Sequence, residues 1–76
     1  MSSHESIDLI EVVNAPWQKE LTVSEATFEG GFKMLHIRIK EGKRFTDLEL
    51  DPGTAAHMAT LIGDWAKANA VEAAKD

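Results

Sequence analysis

Apolar residues recur every three to four positions after residue 51, which is the period of an amphipathic α-helix. Asp51 suits the N-cap, and Pro52 suits the first helical position, where its missing N–H costs no hydrogen bond. We therefore predict a C-terminal helix from Pro52 to about Asn69. Its apolar stripe would contain Ala55, Met58, Leu61, Ile62, Trp65 and Ala68.

Three segments upstream alternate between apolar and polar residues, as strands with one wet face do: residues 20–28, 33–40 and 45–50. If Gly42 and Lys43 form a two-residue turn, the register of the last two strands is fixed. Apolar residues then face apolar residues, and basic residues face acids. The pairs are Ile37 with Leu48, Leu35 with Leu50, Arg38 with Asp47 and His36 with Glu49.

The sequence FEGGF closes the preceding hairpin as a three-residue loop, residues 29–31, with Phe28 facing Phe32. In this register Leu21 and Val23 meet Ile39 and Ile37. Glu25 falls opposite Leu35 on the apolar side. Either a bulge corrects that position or the strands pair differently.

The N-terminal residues 1–15 are apolar enough to pack, but their pattern breaks at Ile10 and again at Pro16. They form either a short extra strand or a partly disordered arm that carries Trp17 to the core, and we favour the arm. Residues 16–69 would then form a single domain, and residues 70–76 a frayed tail.

The fold class that follows is α+β: a three-stranded antiparallel sheet, order 1-2-3, with one C-terminal helix packed on one face. The helix would cover the apolar side of the sheet. One helix covers only one face, so the opposite face stays open unless the arm and Trp17 fold over it. The predicted core is Leu21, Val23, Leu35, Ile37, Ile39, Leu48 and Leu50, and the open face, a candidate interaction surface, carries Phe28, Phe32, Met34 and Phe45.

The composition of the chain narrows the range of bonds, locations and binding partners that we expect. The 76 residues include no cysteine and carry a net charge of −5, so we expect no disulfide framework and a cytoplasmic location. No apolar run approaches the roughly 20 residues that span a bilayer. Residues 32–44 nevertheless carry five bases and one acid. Their candidate anion contacts are Arg38, Lys40, Lys43 and Arg44, although the acidic balance of the chain makes nucleic acid an unfavoured partner.

Catalytic and metal-binding patterns are absent from the sequence. His4, His36 and His57 have no short ligand spacing, and no serine lies in a nucleophile elbow. The glycines do not form a phosphate-binding loop. We therefore expect no metal, no cofactor and no enzymatic activity.

The segments APWQKE and FEGGFKMLHIRIKEGKRFTDLELDPGTA, followed by Trp65, resemble a family of short bacterial proteins catalogued as a domain of unknown function. The similarity extends over most of residues 8–68. It implies a stand-alone domain of bacterial origin and brings no activity, cofactor or catalytic residue.

The function we expect is therefore that of a small interaction or accessory protein. It would bind a protein partner, or a second copy of itself as a homodimer, through the open sheet face or an edge strand. The alternative is anion or nucleic-acid binding through the basic turn of the second hairpin.

Overall fold

The computed structural model describes residues 4–69, with side chains from residue 5 onward. It contains four strands followed by one helix: β1 (His4–Ala15), β2 (Lys19–Phe28), β3 (Lys33–Glu41), β4 (Arg44–Leu50) and α1 (Pro52–Asn69). All strands pair antiparallel in the order β1-β2-β3-β4, which is also their order in the chain.

The α+β class is confirmed, but the prediction of three strands is wrong. Residues that we expected in an irregular arm form β1, a strand of 12 residues that pairs with β2 along its whole length. The predicted boundary at residue 16 therefore falls in a turn inside the sheet. The frayed tail predicted for residues 70–76 lies outside the described residues.

A β-bulge explains why the pattern of β1 misled us. Leu9 pairs with Ser24 and Glu11 pairs with Val23, so Ile10 is an extra residue in the ladder. An inserted residue reverses the alternation of faces beyond it. Once Ile10 is counted as the bulge, the apolar–polar alternation that seemed to break there continues from Ile7 to Val12.

The two registers predicted for the other hairpins are confirmed. Val23 pairs with Ile37, which pairs in turn with Leu48 in β4. Glu25 does lie opposite Leu35, and no bulge removes it from that face. Its carboxylate is instead 3.4 Å from Lys33 Nζ.

Turn geometry agrees with the glycine positions. Gly42 has a φ of 61°, the left-handed conformation that glycine adopts without steric cost. In the β2–β3 loop, Phe28 N donates to Phe32 O at 2.9 Å and Gly31 N donates to Phe28 O at 2.8 Å, as a three-residue loop requires. The β1–β2 turn differs, because Trp17 and Gln18 have φ values of 60° and 58° without being glycines.

Helix α1 begins where the sequence predicts. Asp51 accepts hydrogen bonds from Gly53 N at 3.1 Å and Thr54 N at 3.2 Å, and Thr54 Oγ1 donates to it at 2.6 Å. These bonds satisfy backbone donors that the first turn leaves unpaired. They also hold the pKa of Asp51 below its usual value, chiefly through the Thr54 hydroxyl.

Few side chains are buried. Among the residues described, the buried ones are Ala26 at 0%, Ser24 at 5% and Phe28 at 8% exposure, all pointing to one face of β2. None of the predicted core residues on the other face is fully buried. The Cα radius of gyration is 14.7 Å, against about 11 Å for a compact domain of this length. The fold therefore leaves much of its apolar surface uncovered.

Candidate interaction surfaces

The face of the sheet that carries the predicted core residues is called the apolar face here. It comprises Leu21, Val23, Leu35, Ile37, Ile39, Leu48 and Leu50. Strand pairing places these side chains on one side of β2, β3 and β4. Leu48 is 45% exposed, and the other six are partly exposed. The residues are correctly assigned to one face, but the chain does not bury them.

Helix α1 covers only one end of the apolar face. Pro52 and Ala55 line a cavity of about 220 Å³ together with Leu35 and Leu50. In the described part of the chain, Cα atoms of the helix lie within 8 Å of Cα atoms of β3 and β4 but not of β1 or β2. Ile10 of β1 and Glu25 of β2 approach the helix only as lining residues of the same cavity. The helix therefore packs on the sheet mainly through its N-terminal end.

The apolar residues of the helix remain in solvent. Met58 is 42% exposed, Leu61 52%, Ile62 59% and Trp65 69%. These four residues are called the helix stripe below. The 18-residue helix has no buried residue within Pro52–Asn69. An amphipathic helix gains most of its stability from packing its apolar side. The exposed helix stripe gains little of that stabilisation within one chain.

The opposite face presents only part of the aromatic surface that we predicted. Phe28 is buried, and its ring stacks on Phe32 with centroids 4.8 Å apart. The prediction failed at Phe28 because β1 makes β2 an inner strand, with neighbours on both sides. Met34 is partly buried, while Phe32 and Phe45 are 57% and 54% exposed.

A charged cluster crosses this opposite face between β3 and β4. Arg38 Nε donates to Asp47 Oδ1 at 2.8 Å, and its Nη2 donates to Oδ2 at 3.3 Å. His36 lies between two carboxylates, with Nδ1 3.1 Å from Glu49 and Nε2 3.1 Å from Asp47. The hydrogen bond with Arg38 is the main cause of a lowered pKa for Asp47, and it raises the pKa of Arg38.

This cluster has the geometry of a cross-strand charge ladder. Ser24 pairs with His36 across the strands, and both line a shallow cavity on this face together with Arg38. Both ring nitrogens of His36 lie at hydrogen-bond distance from carboxylates. The Arg38 guanidinium also lies 5.2 Å from the centre of the Phe45 ring. These contacts stabilise the β3–β4 register, as opposite charges facing each other across strands do.

The four candidate anion contacts do not converge on one point. Arg38 is held by Asp47 in the middle of β3, whereas Lys43 and Arg44 lie at the turn. Lys40 pairs with Glu20 across the strands, and both line a cavity between the two turns. The pairing predicted for Arg38 is confirmed, which leaves the basic turn with three exposed cations.

Two exposed features were missed by sequence reasoning. Trp17 does not fold back over the sheet, since it is 85% exposed at the tip of the β1–β2 turn. Strand β1 also exposes apolar side chains that we had assigned to an arm. They are Ile7, Leu9, Ile10, Val12 and Val13, each at least 42% exposed. The sequence did contain a signal for this strand, because Ile7 and Leu9 alternate with the polar residues Ser6 and Asp8.

Within residues 4–69, no group of three or more His, Asp or Glu side chains is placed to hold a metal ion. The same residues include no helix long and apolar enough to cross a membrane.

The fold defines a class: a small α+β domain with a four-stranded antiparallel meander and one helix that covers only part of the apolar face. The chain belongs to the family of unknown function DUF6967, whose model matches residues 4–68. The resemblance to a domain of unknown function is thereby confirmed. No curated protein and no solved structure matched the chain.

Proposed function

We propose that this domain is a non-enzymatic interaction protein whose working form is a homodimer. The observation that carries the proposal is the exposure of the helix stripe and Leu48 beside an apolar face whose other residues are only partly buried. Monomeric proteins rarely leave large contiguous apolar patches in water, and such patches mark interaction sites. A second copy of the chain is the one partner certain to be present wherever the protein is made.

The described residues offer a sizeable apolar contact. Leu48 and the four residues of the helix stripe are large apolar side chains that are each at least 42% exposed. Each partner in a complex of standard size buries about 800 Å². A second copy of the chain could cover these five side chains and the partly buried residues beside them on the apolar face.

The apolar contact of a symmetric dimer supplies energy of the magnitude that association requires. Full burial of one large apolar side chain contributes about 1.5–3 kcal/mol, so covering a half-exposed one contributes about half of that. A two-fold dimer covers the four residues of the helix stripe twice, which gives roughly 6–12 kcal/mol. Association costs about 4–15 kcal/mol. A contact that also covers the apolar face would add to the favourable side.

The proposal is tested by light-scattering chromatography over a range of concentrations. We expect a mass of twice 8.4 kDa for the wild-type chain. Ile62→Lys should be monomeric yet folded, because Ile62 is already 59% exposed within one chain. Thr60→Lys introduces the same side chain on the other side of the helix and should stay dimeric.

Two results would contradict the proposal. A wild-type mass of 8.4 kDa at every concentration would exclude the homodimer. A dimer that survives Ile62→Lys unchanged would place the contact elsewhere, for instance at an edge strand.

A further inference from the structure

We infer that the helix of each protomer lies on the sheet of the other, so that the helix stripe of one chain covers the empty part of the partner's apolar face. This arrangement rests on the proposed homodimer and adds the identity of the two surfaces in contact. Three arguments support it. The helix covers only part of the apolar face of its own chain. The helix stripe and the remaining part of that face are similar in size, and simpler dimers leave one of the two surfaces without a partner surface.

The apolar face has an occupied half and an empty half. Leu35 and Leu50 meet the first turn of their own helix at the cavity described above. The other half lies toward the β1–β2 and β3–β4 turns. It carries Leu21 and Val23 from β2, a strand whose Cα atoms all lie more than 8 Å from those of the helix within residues 4–69, and the paired residues Ile39 and Ile37.

The helix stripe matches this empty half in size. From Met58 to Trp65 the helix rises about 10 Å at 1.5 Å per residue. The distance from β2 across β3 to β4 is also about 10 Å, at 4.8 Å between neighbouring strands. One stripe therefore spans the three strands that carry the apolar face.

Simpler dimers leave one of the two surfaces in water. If the sheets met face to face alone, the helix stripe would remain exposed. If the helices met alone, Leu21, Val23, Ile37 and Ile39 would remain only partly buried. Reciprocal placement of helix on sheet covers both surfaces, and a two-fold axis makes the two contacts identical.

Engineered cysteines test the arrangement directly, because the natural chain has none. Two single variants, Leu21→Cys and Ile62→Cys, are mixed and oxidised mildly. We expect a disulfide between the two different chains as the main covalent product. The control mixture of Leu21→Cys with Thr60→Cys should give at least fivefold less of it. A main product joining two Ile62→Cys chains would instead indicate helix against helix and would overturn the inference.

Tryptophan fluorescence gives a readout that needs no cysteine. Trp17→Phe leaves Trp65 as the remaining indole, and Trp65→Phe leaves Trp17. As concentration rises, the emission of Trp65 should shift to shorter wavelength by several nanometres in step with the mass, while that of Trp17 stays constant.

The outcomes separate this inference from the proposed function. A dimer in which Trp65 stays exposed and the mixed disulfide fails to form would overturn the arrangement and leave the homodimer standing. A chain that is monomeric at all concentrations would overturn both.

Discussion

Arg38 and Asp47 lie directly opposite each other on β3 and β4, and Arg38 donates two hydrogen bonds to the Asp47 carboxylate at 2.8 and 3.3 Å. The pKa of Asp47 is lower in the folded chain, mainly because of this bond. The Arg38–Asp47 contact therefore stabilises the fold fully above the pKa that Asp47 has in the unfolded chain, about 4. This stabilisation is lost as the pH falls through the lower pKa that Asp47 has in the folded chain.

We therefore predict that Arg38→Gln destabilises the fold at pH 7 and that the difference from wild type disappears in acid. Urea unfolding between pH 2.5 and 7 measures it. Lys43→Gln is the matched control, since it changes the net charge equally at the turn. An Arg38→Gln deficit that is the same at pH 3 as at pH 7 would contradict the role of the ionised Asp47.

The helix cap at Asp51 gives a second prediction. Asp51→Ala removes the acceptor for Gly53, Thr54 and the Thr54 hydroxyl, so it should lower both the unfolding midpoint and the helical circular dichroism signal. Asp51→Asn keeps an acceptor and should lie close to wild type. Because the pKa of Asp51 is lowered on folding, the gap between wild type and Asp51→Asn should close as pH falls below about 4. Equal effects of Ala and Asn at pH 7 would mean that the side chain does not cap the helix.

Substitutions at the Phe28–Phe32 stack would test how much the small core on the opposite face contributes to stability. We expect Phe28→Leu to reduce the free energy of unfolding by about 1–2 kcal/mol, and Phe32→Leu by less than about 1 kcal/mol because Phe32 is 57% exposed. A double-mutant cycle should give a coupling of about 0.5–1.5 kcal/mol. Strictly additive effects would show that the rings do not stabilise each other.

The left-handed backbone at Trp17 predicts a stabilising substitution. A bulky residue with positive φ is strained by about 1–2 kcal/mol, and asparagine tolerates this region better. Since Trp17 is 85% exposed, Trp17→Asn should raise the free energy of unfolding by about 0.5–1 kcal/mol. Trp17→Val should lower it, because a β-branched side chain suits this conformation least. The reverse order in urea unfolding would refute the strain at this turn.

Self-association predicts that thermal stability depends on concentration. A tenfold increase in protein stabilises a dimer by about 1.4 kcal/mol, which should raise the melting temperature by a few degrees. For Ile62→Lys the melting temperature should stay constant. Calorimetry at 10 and 100 µM would measure both, and a constant wild-type value would argue against the dimer.

Local rules predicted the parts of the fold in which a residue and its neighbours decide the structure. The position of Gly42 and the alternation around Ile37 fixed the β3–β4 register, and Asp51 with Pro52 fixed the start of the helix. Strand β1 was missed because a bulge at Ile10 produces the same local pattern as the end of a strand. Sequence alone does not distinguish the two before pairing is known.

The candidate surface was harder to predict than the fold. Periodicity identified Leu61 and Trp65 as apolar positions of the helix, but it does not say which surface covers them. We assigned the sheet of the same chain, and in the structure these side chains remain in solvent. Phe28 was misjudged for the same kind of reason. It pairs with the N-terminal end of β1, which is far away in sequence.

The order β1-β2-β3-β4 has a consequence for how the protein reaches its native state. Every strand pairs with its immediate neighbour in the chain, so each ladder closes only a short loop, and low contact order favours rapid folding. The sheet can therefore assemble hairpin by hairpin within one chain. Docking of the helix stripe onto a second chain would be a later, bimolecular step. Refolding kinetics would then divide into a fast phase independent of dilution and a slow phase whose rate increases with the amount of protein.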